Sequence, residues 1–147
     1  MASINPPNAH DKSDWLKLWQ GYLEFYKSDL PEKISDLTWE RFFDPNEPVF
    51  SLGAYEGETM VGFVNYILHR STWSESHYCY LEDIFVSPSK RGRGIGGQLI
   101  SAVQDCAQEA GCARLYWMTH EDNITAQMLY DKVARKSGFI QYRLPLE

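Results

Sequence analysis

The chain has 147 residues, 44% of them hydrophobic and 23% charged, with a formal net charge of −6. That length fits one domain, 1–147, with a core of its own, and that composition excludes a disordered chain. The acidic balance argues against a nucleic-acid partner, and no apolar run approaches the ~18 residues of a membrane span. The N-terminus, Met-Ala-Ser-Ile-Asn-Pro-Pro, has no basic segment leading into an apolar one, so a cytoplasmic protein without membrane contact is expected. Cys79, Cys106 and Cys112 are odd in number and lack metal-ligand spacing, as do the four histidines. Reduced thiols and no metal are expected.

In chain order, residues 1–5 read as a short strand before Pro6-Pro7. Asp11 to Asp14 starts a helix whose apolar positions, Trp15, Leu16, Leu18, Trp19, Tyr22, Leu23 and Tyr26, recur at helical spacing. A shorter helix is predicted over about Leu37 to Phe43. Phe50 to Tyr55 and Thr59 to Leu68 read as two strands joined at Glu56-Gly57-Glu58. His77 to Val86 is the next strand, and Gly94 to Ala110 a helix closed by Gly111. Arg114 to Thr119 is a strand, Asn123 to about Ser137 a helix, and Phe139 to Leu144 a closing strand. The order predicts an α/β (α+β) domain with a mixed, mostly antiparallel sheet flanked by helices.

Between the third long strand and the helix at Gly94 lies Lys90-Arg91-Gly92-Arg93-Gly94-Ile95-Gly96-Gly97. Strand, glycine loop and helix N-terminus in that order aim backbone N–H groups and a positive dipole end at one spot, a cradle for phosphate. The glycines remove side chains where the backbone must approach an anion, and Lys90, Arg91 and Arg93 concentrate positive charge. Gly92-x-Gly94-x-x-Gly97 also satisfies the dinucleotide fingerprint. That fold, however, carries its glycines after the first strand of a longer parallel sheet.

Arg91-x-x-Gly94-x-Gly96 resembles the acetyl-CoA motif of the GNAT superfamily of N-acetyltransferases. Asn123-x-x-Ala126-x-x-Leu129-Tyr130 is similar to its second motif, and Ser137-Gly138-Phe139 to its Gly-Phe ending. Together these cover roughly residues 50 to 144. The resemblance implies acetyl-CoA as co-substrate, a V-shaped splay of two strands at its site, and a homodimer. It assigns the cofactor to Ile84, Phe85 and Val86, to Arg91 through Gly97, and to Asn123, Ala126 and Tyr130. Tyr78, Tyr80 and Glu82 are expected on one face of their strand, with Cys79, Leu81 and Asp83 on the other. The unbroken apolar run Ile84-Phe85-Val86 suggests a β-bulge after Asp83.

Glu82 is the general-base candidate, because acetyl transfer needs a neutral amine and alkylamines are mostly protonated at neutral pH. Tyr80-Leu81-Glu82-Asp83 also looks like the segment of spermidine/spermine acetyltransferases that carries the base. Tyr130 is the acid candidate: a phenol (pKa ~10) can protonate a leaving thiolate whose conjugate acid lies near ~8.5. The tract from Tyr130 to Gly138 is one helical turn longer than in much of the superfamily, a form similar to small GNATs acting on histone tails, polyamines or D-amino acids. Glu24, Tyr26, Asp29, Trp73 and Asp83 are candidates to hold a cationic amine or peptide substrate. The competing class is a CoA-binding module that has lost its chemistry.

Overall fold

In the computed structural model, which describes residues 2–147, the chain divides into one unit running to Trp117 and a second from Met118 to Glu147. The first unit holds β1 (Ser3–Asn5), α1 (Lys12–Phe25), α2 (Glu32–Arg41), β2 (Val49–Glu56), β3 (Thr59–Arg70), β4 (His77–Val86), α3 (Ile95–Glu109) and β5 (Arg114–Tyr116). The strands lie in the order β1-β2-β3-β4-β5. The first three pairings are antiparallel and the last is parallel, which is the mixed, mostly antiparallel sheet expected from the sequence.

The apolar stripe of α1 buries Trp15, Leu18, Trp19 and Leu23, as its 3–4 spacing requires. Trp15 stacks on Trp19 at 5.1 Å between ring centroids and lies 5.3 Å from Trp39 of α2 and 6.1 Å from Phe63 of β3. Phe85 of β4 joins the same cluster. Where α1 and α2 meet, the Trp19 indole N–H donates to Ser35 Oγ at 2.8 Å. Asp11, just before α1, accepts from the Tyr55 hydroxyl at 2.7 Å and ties the helix start to β2. These contacts fix both helices on one face of β3 and β4, where the site lies. Helix α2 begins at Glu32 rather than near Leu37. Pro31 restrains the backbone and supplies the N-cap position, so the helix starts directly behind it.

The key irregularity is in β4. Asn65 of β3 pairs with Asp83, yet its neighbour Tyr66 pairs with Leu81, so Glu82 is an extra residue with no partner opposite. The bulge thus falls on Glu82, two residues before the predicted Ile84 to Val86 segment, and it reverses the alternation. Phe63 and Asn65 pair with Phe85 and Asp83, while Ile67 and His69 pair with Tyr80 and Tyr78. The α1/α2 face therefore takes even-numbered residues of β4 before the bulge and odd-numbered ones after it. Asp83 consequently joins Glu82 on that face and does not alternate with it. The parallel pairing of β5 covers only Tyr78 to Tyr80 of β4. Among the described residues, no strand lies beside Leu81 to Val86 on that edge.

The second unit contains α4 (Ile124–Val133), whose N-cap Asn123 accepts from the Ala126 N–H at 3.2 Å. This helix stops four residues short of the expected Ser137, because Ala134 takes up extended backbone. The expected closing strand is absent: Phe139 to Leu144 is irregular, with Phe139 91% exposed. Its apolar, β-prone composition satisfies strand propensity, but a strand exists only through inter-strand hydrogen bonds, and no described segment pairs with it.

Candidate active site

The bulge places two carboxylates at one cavity. Glu82 and Asp83 line a space of about 210 Å³ together with Asn65 and Ile67 of β3, Trp19 of α1 and Thr38 and Arg41 of α2. Asp83 is held firmly. It accepts from Asn65 Nδ2 at 3.1 Å and from the Tyr22 hydroxyl. Burial nevertheless outweighs these donors and holds its carboxyl above the usual range. Glu82 reaches the surface, but the protein packed around it, and then the charge of Asp83, push its pKa up as well. Burial and Asp83 likewise make Tyr22 harder to ionise, so it stays a neutral donor.

A raised carboxylate pKa has a definite sign in stability. The native state binds the Asp83 proton more tightly than the unfolded chain does. Stability therefore falls as pH rises from the unfolded carboxylate range through the raised value, and stays lower above it. Asp83→Asn keeps an oxygen for Tyr22 and Asn65 and removes the buried charge. Its Tm is expected to exceed that of the parent at about pH 7, with the gap closing at acid pH. Thermal melts across pH check this, and an equal or lower Tm at neutral pH counts against it.

The glycine loop follows the C-terminal end of β4. Gly92 and Gly94 have φ of 80° and 81°, and Gly94 is the N-cap of α3. No side chain caps that helix, so the N–H groups of its first turn keep no side-chain acceptor. The space where a side chain would begin at Gly92 and Gly94 is open for 4 Å. An open cradle of backbone donors fits a phosphate or pyrophosphate. The basic residues act as braces for it. Arg91 Nε donates to the Val86 carbonyl at 3.0 Å, and its guanidinium lies over the Phe85 ring at 5.1 Å. Lys90 and Arg93 both reach Glu56 at the end of β2, at 2.7 and 3.6 Å. Sequence reasoning missed Glu56, for nothing near a hairpin turn announces a partner more than thirty residues away.

Because no atom crowds Gly94, Gly94→Ala meets only the cost of a left-handed backbone, about 1–2 kcal/mol. The expected result is a small drop in Tm and, if the loop holds the cofactor's pyrophosphate, an about tenfold loss of CoA affinity. Calorimetric titration checks it; unchanged affinity contradicts the cradle.

The remaining candidates are spread out. Phe85 is buried among the aromatics of α1, so its ring is not open to a ligand. Ile84 and Val86 flank it, half-buried, and Ile95 is buried at the start of α3 while Gly96 and Gly97 follow it. Asn123, Ala126 and Tyr130 lie together on α4 in the second unit. Of the five substrate candidates, Asp83 lines the cavity. Glu24, Tyr26, Asp29 and Trp73 are not among its walls, and Trp73 is 87% exposed in the turn before β4.

This chain belongs to the acetyltransferase (GNAT) family, whose profile matches residues 15–134. It is 35% identical over 135 residues to the D-amino-acid N-acetyltransferase HPA3 of Saccharomyces cerevisiae, covering 90% of this chain and 84% of that protein. It is 32% identical to a thialysine N-epsilon-acetyltransferase of Mus musculus, over 95% of this chain and 90% of the relative. Among solved structures, an aminoglycoside acetyltransferase, AAC(6')-Iy, in complex with a bisubstrate analogue superposes with a TM-score of 0.85 at 21% identity. That match covers 99% of this chain and 98% of the other. The chain is an N-acetyltransferase of this family, with its fold.

Proposed function

We propose that the protein transfers the acetyl group of acetyl-CoA to the primary amine of a small molecule or peptide by direct attack. The observation that supports this most is the bulge at Glu82. It brings two carboxylates to one cavity on the strand that leads into the glycine loop. Acetyl-CoA supplies an acetyl carbon activated as a thioester. Backbone donors of Gly92 to Gly97 would hold its pyrophosphate, with Arg91 and Arg93 close by, and the open edge of Ile84 to Val86 would take the pantetheine arm. A backbone N–H there, aimed at the carbonyl as charge develops on it, contributes about 10²–10³ in rate. Asn123 and Ala126 at the start of α4 belong to the same reading.

Asp83 and Asn65 hold the substrate ammonium, and Glu82 takes its proton, directly or through a water. The C–N bond forms as the C–S bond breaks, and Tyr130 gives a proton to the departing thiolate. A raised pKa suits Glu82 to this role, since a base poised closer to neutrality returns its proton readily. Burial pushes the Cys79 thiol up to about 12, so it offers no thiolate for a covalent route. The names of the relatives, which speak of D-amino acids and thialysine, support a small amine as acceptor. In this reading the chain works as one catalytic domain and pairs as a homodimer.

Mixing the protein with acetyl-CoA and a panel of amines, with thiol release followed, tests it. Acceptor-dependent release is expected. Tight acetyl-CoA binding with no release for any amine would support the CoA-binding module without chemistry.

A further inference from the structure

Acetyl transfer gives no role to one charged residue of the cavity, Arg41. It stands in the last turn of α2 on the stripe Ile34, Thr38, Arg41, spaced by four and three residues, that lines the cavity. The cavity is thereby polarised. Its sheet side presents the Glu82 and Asp83 carboxylates and Asn65, a residue only 3% exposed whose buried Oδ1 has no hydrogen-bond partner among the described residues. A buried orphan acceptor of this kind calls for a donor, and an ammonium has three. The α2 side presents donors instead, the Arg41 guanidinium and the Thr38 hydroxyl. Glu47 meets Arg41 Nε at 4.0 Å with both side chains well exposed, the kind of long surface pair that holds a guanidinium weakly.

Size narrows the acceptor further. About 210 Å³ is below the ~300–1,000 Å³ of pockets that enclose drug-sized ligands. A polyamine would bring a second cation towards Arg41. The N-terminal residue of a peptide offers an amide where a carboxylate would pair.

We propose that the acceptor is a free α-amino acid bound as a zwitterion, with its ammonium among Asn65, Asp83 and Glu82 and its carboxylate on Arg41. Its side chain lies along the apolar wall of Trp19, Leu30, Ile34 and Phe42. This rests on the acetyl-transfer reading above, and the chemistry is the same: the amine proton goes to Glu82, the C–N bond forms and the C–S bond breaks. Arg41 is a specificity residue, since planar bidentate pairing with a carboxylate is what a guanidinium does best.

The test compares three acceptors with one side chain: phenylalanine, phenylalaninamide and phenethylamine, the first two as both enantiomers, with thiol release as readout. The amide is the weaker base and offers more free amine, so intrinsic reactivity favours it over the acid. The expected result is a kcat/KM at least about tenfold higher for one enantiomer of the free acid. Arg41→Met should erase that advantage through KM, Arg41→Lys should restore part of it, and turnover of the amide should not change. Equal or better use of the amide and amine overturns the zwitterion while leaving acetyl transfer standing. So does an Arg41→Met variant that loses activity equally on all three. No thiol release with any acceptor overturns both.

Discussion

Glu82→Gln is expected to lower kcat by about 10²–10⁴-fold, the usual contribution of a general base, while acetyl-CoA binds as before. The change is nearly isosteric and the bulge is a backbone feature, so folding should survive it. The pH profile carries the stronger signal. Burial and the neighbouring Asp83 raise the pKa of Glu82, and only its deprotonated form can accept the amine proton. Activity should therefore fall on the acid side through an inflection above the ordinary carboxylate range. In Glu82→Gln that inflection should vanish. Asp83→Asn removes the like charge that adds to the effect of burial on Glu82, so its inflection should move down in pH. Movement upwards would show that Asp83 does not act on Glu82 as a like charge.

Tyr130→Phe is expected to cost about 10² or more in kcat with near-normal acetyl-CoA affinity, because in the proposed mechanism the phenol serves the leaving thiolate and not the bound thioester. The loss should shrink with acetyl thioesters of more acidic thiols, whose thiolates leave without a proton. Single-turnover rates with both donors check this. Unchanged kcat removes the acid role from Tyr130, and an equal loss with both donors reduces it to a positioning residue.

Much of this was legible in the chain because local chemistry demanded it. Gly92 and Gly94 of the loop sit at left-handed φ, the apolar stripe of α1 buries the tryptophans it displays, and the β2–β3 hairpin turns at Gly57. The bulge was legible only as a break in alternation. The sequence marks that break at Ile84 to Val86, where the run turns apolar, but its position is set by pairing with Asn65 and Tyr66 on another strand. One residue of register decides whether Asp83 faces the cavity or the opposite side, and a period-two pattern cannot settle that. Residues such as Glu56 and Arg41 were invisible because each acquires its role from elements distant in sequence. The strand expected at Phe139 to Leu144 has the right residues and no partner to pair with.

In the proposed mechanism the bulge carboxylate and the glycine loop form one acetyl-transfer site. The most direct measurement is acceptor-dependent thiol release from acetyl-CoA, run beside mass spectrometry of the protein and of the amine. One thiol per N-acetylated amine is expected, with no acetyl group left on the protein. Acetyl-CoA binding without product, or a stable acetyl-protein that forms before the amine is added, contradicts it.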